Sequence, residues 1–181
     1  MTLTCPRSVT AASGIDALVH AIESYLSVNA SPITDALAIG AIKLIAKALP
    51  KAYANPSNLQ AREDMATASL MAGMAFGNAL LLPYVMTWNK MACIERMQDI
   101  AEAMGVKTAQ LSANEAADKA VQAMTELCAA VEIPQGLRSF GVPEDAIPTM
   151  AVEAAGIERL MRNNPRKLSA IDIEKIYRAA Y

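Results

Sequence analysis

Three short polar signatures divide this chain into helices before any residue inside them is considered. Ser31-Pro32 puts a serine where its side chain can cap a helix and a proline at the first helical position, where no N–H is needed. Ser112-Ala-Asn-Glu115 is a capping box, and Ser169-Ala-Ile-Asp172 is a second signal of that kind. Apolar residues recur at helical spacing around these starts. Ile15, Leu18, Ile22 and Leu26 form one stripe. Ile33, Leu37, Ala41, Leu44 and Ala48 form a second; Ile94, Met97, Ile100 and Met104 form another; Ile173, Ile176, Tyr177 and Ala180 form the last. Gly105 stands where a helix stop belongs.

The expected elements are helices over about 11–28 (with Thr10 or Ser13 as cap), 32 to a fade near Pro50–Asn55, 58–89, 94–104, 113–132, 143–162 and 170–180. Pro83 should bend or end the third. Alanine fills 36 of 181 positions and methionine 11, while aromatics reach only 4%. That balance favours helix and disfavours sheet. The expectation is an all-α protein, a single helical-bundle domain of about seven helices over residues 1–181.

Counts of chemically active residues narrow the function. His20 is the one histidine, so three histidines from this chain cannot meet at a zinc ion. Cys5, Cys93 and Cys128 are far apart with no CxxC, which points away from a disulfide framework and toward a reducing cytoplasm. No GxGxxG or GxxxxGK[ST] is present, so an NAD(P) site within the chain is not expected. A net charge of -2 argues against nucleic acid as a partner. The basic residues Arg159, Arg162, Arg166 and Lys167 read as a solvated helix end.

From Met65 to Asn89 there is no charge. The run is long enough to cross a bilayer. Thr67, Ser69, Asn78 and Pro83, and the lack of a flanking Lys/Arg cluster, favour a buried core helix and no membrane. Gly73 and Gly77 in it would let a neighbour approach closely.

Asp16 and His20 lie four residues apart and therefore share a helix face. A carboxylate and an imidazole so placed can reach one Fe(II) or Zn(II) ion, and Glu23 lies nearly one turn on. On spacing alone, a surface Asp–His pair is the plainer reading.

The stretch Thr10-Ala-Ala-Ser-Gly-Ile-Asp16-Ala-Leu-Val-His20-Ala-Ile-Glu23 closely resembles the iron-dependent (group III) alcohol dehydrogenases. The likeness continues through Ser31-Pro-Ile-Thr-Asp35, Ala61-Arg-Glu-Asp64, Gly73-Met-Ala-Phe76, Asn78-Ala-Leu-Leu-Leu-Pro83 and Asn164-Pro-Arg166. The resemblance implies the C-terminal helical domain of that family, of the dehydroquinate-synthase-like type. It implies a partner α/β domain that binds NAD(P), and a divalent iron or zinc ion that polarises an alcohol or aldehyde oxygen. The family's metal site uses one Asp and three His; Asp16 and His20 match the first two.

Two departures follow from the same resemblance. The family's nucleotide-binding half is not found before residue 1. A histidine-bearing segment expected after Phe76, with the third and fourth metal ligands, is missing, because Phe76 runs directly into Gly77-Asn-Ala-Leu-Leu-Leu-Pro83. The expectation is therefore a chain inactive on its own, with no catalytic residue and a weak, unselective ion site at Asp16 and His20. The apolar face from Met65 to Val85 should lose its cover. The helices flanking Gly77-Asn78 should fuse and pair with a second copy, giving a homo-oligomer. A partner chain carrying the nucleotide-binding domain is the alternative.

Overall fold

The computed structural model describes residues 3–72, 81–134 and 136–181. Nine α-helical segments and no strand occur among them. They are α1 (Arg7–Leu26), α2 (Pro32–Ala54), α3 (Leu59–Ala72), α4 (Leu82–Asn89), α5 (Ile94–Ala103), α6 (Ala113–Ala130), α7 (Ile147–Ala155), α8 (Glu158–Met161) and α9 (Ala170–Ala179). The all-α expectation holds.

The polar signatures work as read. Ser31, Ser112 and Ser169 each accept a hydrogen bond from the backbone N–H three residues on. Each box is closed by the side chain returning from that position: Thr34, Glu115 and Asp172. Gly105 ends α5 at φ 94°, a left-handed conformation that a Cβ would disfavour.

Three boundaries differ from the sequence reading. Helix α1 begins at Arg7, after Pro6, and not at Thr10 or Ser13. A proline ahead of the first turn suffices as a start, and the Thr10 hydroxyl bonds back to the Pro6 carbonyl instead of capping. Helix α2 ends at Ala54, within the expected Pro50–Asn55 fade, with Pro50 inside it. The uncharged run is not one helix, since a turn at Leu81 precedes α4. Pro83 falls in the first turn of α4, where its missing N–H is harmless, so it opens a helix and does not end one. Gly77-Asn78 and the Gly73/Gly77 pair lie outside the described residues. The sixth expected helix breaks at Gly156 into α7 and α8.

Packing follows the stripes. Helices α1, α2 and α3 wrap one another, and α5 and α6 form a hairpin laid against them. Ile15, Leu18 and Ile22 of α1 meet Ile42, Ile45 and Leu49 of α2 in the buried core, which Met97, Ile100 and Met124 extend. Gly14 lets α2 come close: a Cβ there would lie 2.4 Å from Leu49 Cδ1. Helix α9 packs chiefly on α7. Helix α4 makes its main contacts with α6 and α9, not with α1.

Candidate functional site

Asp16 and His20 lie on adjacent turns of α1, two and six residues beyond the Gly14 close approach. The stripe that seats α1 turns Ile15, Leu18, Val19 and Ile22 inward, which leaves Asp16 at its margin. The Asp16 side chain is 51% exposed and that of His20 is 22% exposed. His20 Nδ1 lies 3.9 Å from Asp16 Oδ2. That is too long for a hydrogen bond. Two donors at about 2.1 Å from one ion stand about 3–3.5 Å apart, so a small side-chain adjustment would let the pair share an ion.

Two donors are half of what a tetrahedral site requires. Among the described residues no group of three or more His, Cys, Asp or Glu side chains is gathered that could hold an ion. Glu23 faces a cavity farther along α1 and does not complete a set with the pair. The residues described thus fit an ion only partly. Cys5, Cys93 and Cys128 are thiols outside any disulfide. Burial pushes the Cys93 thiol up, which suits a small apolar filler better than a nucleophile.

The cavity has a volume of 470 Å³. Its walls are the end of α1 (Glu23, Ser24, Ser27), the start of α4 (Leu81, Leu82, Val85, Met86), the Met161–Pro165 stretch, and Ile173, Ile176 and Tyr177 of α9.

The polar residues that sequence spacing left without a role turn out to be clamps. Arg62 is buried, and its guanidinium donates to Thr10 Oγ1 at 2.7 Å, to the Pro56 carbonyl at 3.1 Å and to the Cys5 carbonyl at 3.2 Å. Arg96 of α5 grips both oxygens of Asp35 at 3.0 and 3.1 Å, donates to the Tyr25 carbonyl and lies 4.8 Å over the Tyr25 ring. The Tyr25 hydroxyl donates to Asp99, and burial together with that bond pushes the phenol well above its usual range. Asn89 and Asn164 exchange two amide hydrogen bonds, 2.6 and 3.0 Å long. Arg166 donates to the Trp88 carbonyl at 2.7 Å and stacks over that indole. Apart from the bond of Arg62 to the Pro56 carbonyl, these contacts join positions 52 to 78 residues apart, so no local spacing in the sequence signals them.

The model of the C-terminal part of the Fe-containing alcohol dehydrogenase family matches residues 10–81 and 77–181. The chain belongs to this family. It is similar to long-chain-alcohol dehydrogenase 1 of Geobacillus thermodenitrificans (strain NG80-2), at 42% identity over 206 positions, covering all of the chain and 52% of that protein. It is 44% identical to the 1,3-propanediol dehydrogenase of Klebsiella pneumoniae over 201 positions, covering 97% of the chain and 52% of that protein. A crystal structure of a 1,3-propanediol oxidoreductase superposes with a TM-score of 0.94 at 43% identity, covering 99% of the chain and 53% of the other. The chain spans about half the length of the curated relatives it matches.

The family match also locates the shortening noted in the sequence. It comes as two separate stretches that meet at residues 77–81. The 206 aligned positions of the Geobacillus relative stand against 181 residues here, an excess of 25. The residues that carry the family resemblance divide by role. Asp35, Arg62, Asn164 and Arg166 hold helices together, whereas Asp16 and His20 face each other across one turn of α1.

Proposed function

We propose that this chain is a metal-side helical domain of the Fe-containing alcohol dehydrogenase type that has kept two ion donors, Asp16 and His20, and lost the others. By itself it then interconverts no alcohol and aldehyde. The observation that supports this most is the pairing of one histidine in the whole sequence with a family match split at residues 77–81. In this reading an Fe(II) or Zn(II) ion, when bound, would supply Lewis-acid polarisation of the substrate oxygen. What Asp16 and His20 contribute is one anionic and one neutral donor on a rigid helix. Water would fill the remaining positions, so exchange is fast and selectivity among divalent ions low. The nicotinamide cofactor belongs to a part that this chain's own residues do not supply.

The test is an anaerobic assay of the purified chain with Fe(II) or Zn(II), NAD or NADP, and a panel of primary alcohols and diols. The expected result is no reduced nicotinamide above the protein-free blank. Turnover that scales with chain concentration and disappears in His20→Ala would overturn the reading. Turnover that appears only after a second polypeptide is added would favour an enzyme assembled from two chains. No described helix is long and apolar enough to cross a membrane.

A further inference from the structure

Close-packed helices leave few pockets of 470 Å³ between them, and this bundle keeps one that is partly open to solvent. This one lies where α1 and α4 fail to make a substantial contact. Its lining is mostly apolar on the α4 and α9 side, with Leu82, Val85, Met86 and Ile176, and polar at the end of α1, with Glu23 and Ser24. An amphipathic polypeptide fits that division better than a small ion does.

The length of the missing segment and its position identify the occupant. The relatives carry about 25 residues that this chain lacks, and the family match breaks at residues 77–81. Leu81 and Leu82, the first described residues after that break, are cavity-lining residues. The chain that follows the split in the family match therefore forms part of the cavity wall. Twenty-five residues make a helix of up to about 37 Å, or a shorter helix and a loop, enough to run alongside α1.

We propose that the cavity between α1 and α4 is the vacated bed of that segment, and that it binds the equivalent segment of a relative supplied in trans. This rests on the internal shortening and not on any ion at Asp16 and His20. The peptide seats its apolar face on Leu82, Val85 and Ile176 and its polar face toward Glu23 and Ser24. Binding couples to folding of the peptide, because an isolated helix of this length is marginal in water.

The experiment titrates the purified chain with a synthetic peptide that copies the stretch of the Klebsiella pneumoniae 1,3-propanediol dehydrogenase falling between its counterparts of Phe76 and Gly77. The single tryptophan, Trp88, sits in α4 beside cavity-lining Asn89, so its emission is the readout, with thermal melting as the second. The expected result is a saturable one-to-one change in Trp88 emission, and a melting temperature that climbs with peptide concentration. A peptide with its histidines replaced by alanine should bind as well, which separates seating from metal coordination. Val85→Arg, and independently Ser24→Phe from the opposite wall, should each weaken binding at least tenfold while circular dichroism stays helical. No saturable change, equal binding of a scrambled peptide, or binding insensitive to both variants would overturn the proposal. So would a peptide that binds only through its histidines.

Discussion

Replacing Arg96 by alanine removes the junction that ties the end of α1 and the start of α2 to α5. Three interactions are lost together. The two bonds to Asp35, at 3.0 and 3.1 Å, are charge-assisted and bidentate, but the Arg96 side chain is 36% exposed and that of Asp35 27%. Solvent screening at that exposure leaves the pair about 1 kcal/mol. The bond to the Tyr25 carbonyl contributes about 1 kcal/mol, since the guanidinium satisfies a part-buried carbonyl in the last turn of α1. The guanidinium over the Tyr25 ring at 4.8 Å adds about 0.5 kcal/mol. The sum is about 2.5 kcal/mol. A chain of this size shifts its melting temperature by about 2–4 °C per kcal/mol, so the loss corresponds to about 5–10 °C. Scanning calorimetry at neutral pH reads it directly. Arg96→Lys keeps the charge but neither the fork nor the stacking, and should lose more than half of the same amount. A fall of under 2 °C for Arg96→Ala, or full retention by lysine, would refute the clamp. Asp35→Ala in the Arg96→Ala background should then cost little more, because the partner is already gone.

Other expected outcomes concern separate parts of the fold. Gly14→Ala pushes a methyl to within 2.4 Å of Leu49 Cδ1, and Leu49 is fully buried with nowhere to swing, so denaturant titration should show a loss of about 1–3 kcal/mol. Gly40→Ala meets only the flexible Met71 terminus, so the gain in helix propensity should leave the protein unchanged or up to about 1 kcal/mol more stable in the same titration. Asn89→Ala breaks the reciprocal amide pair with Asn164 and leaves the Asn164 amide only its bond to the Arg166 carbonyl, which chemical denaturation should register as about 1–2 kcal/mol. The capping carboxylates set an acid limb. Glu115 is held below its usual pKa by the Ser112 hydroxyl and backbone, and Asp172 by the Ser169 backbone and hydroxyl. A carboxylate whose pKa is depressed on folding stabilises the fold above its unfolded pKa and loses that contribution as pH falls through the folded one. The melting temperature should therefore drop on acidification from about pH 4.5 downward. Ser112→Ala with Ser169→Ala should flatten that drop.

Most of the helices were legible because their starts are chemical. A serine hydroxyl facing an N–H three residues away is a local event, so Ser31, Ser112 and Ser169 could be read from sequence. Boundaries set by tertiary contact were not. The break at Gly156 arises where the α7 C-terminus is capped by backbone bonds to Val152 and Glu153, a stop that needs no special spacing. The site was half legible. Asp16 and His20 stand together because i and i+4 share a face, a purely local rule. That Arg62, Arg96 and Arg166 act as clamps and not as ligand-binding cations depends on partners far away in the chain, such as Tyr25 for Arg96 and Trp88 for Arg166. The cavity depends on which helices fail to meet, a property of the packed molecule alone.

Asp16→Ala separates a vestigial pair from a working one in a melting experiment. An exposed i,i+4 pair contributes less than about 1 kcal/mol, so little change is expected without metal. The most direct test is a count of bound ions. The purified chain is saturated anaerobically with Fe(II) or Zn(II), passed through a desalting column, and analysed by inductively coupled plasma mass spectrometry. Two donors on one helix should retain far less than one ion per chain after the column. One tightly held ion per chain, lost in both Asp16→Ala and His20→Ala, would contradict the account.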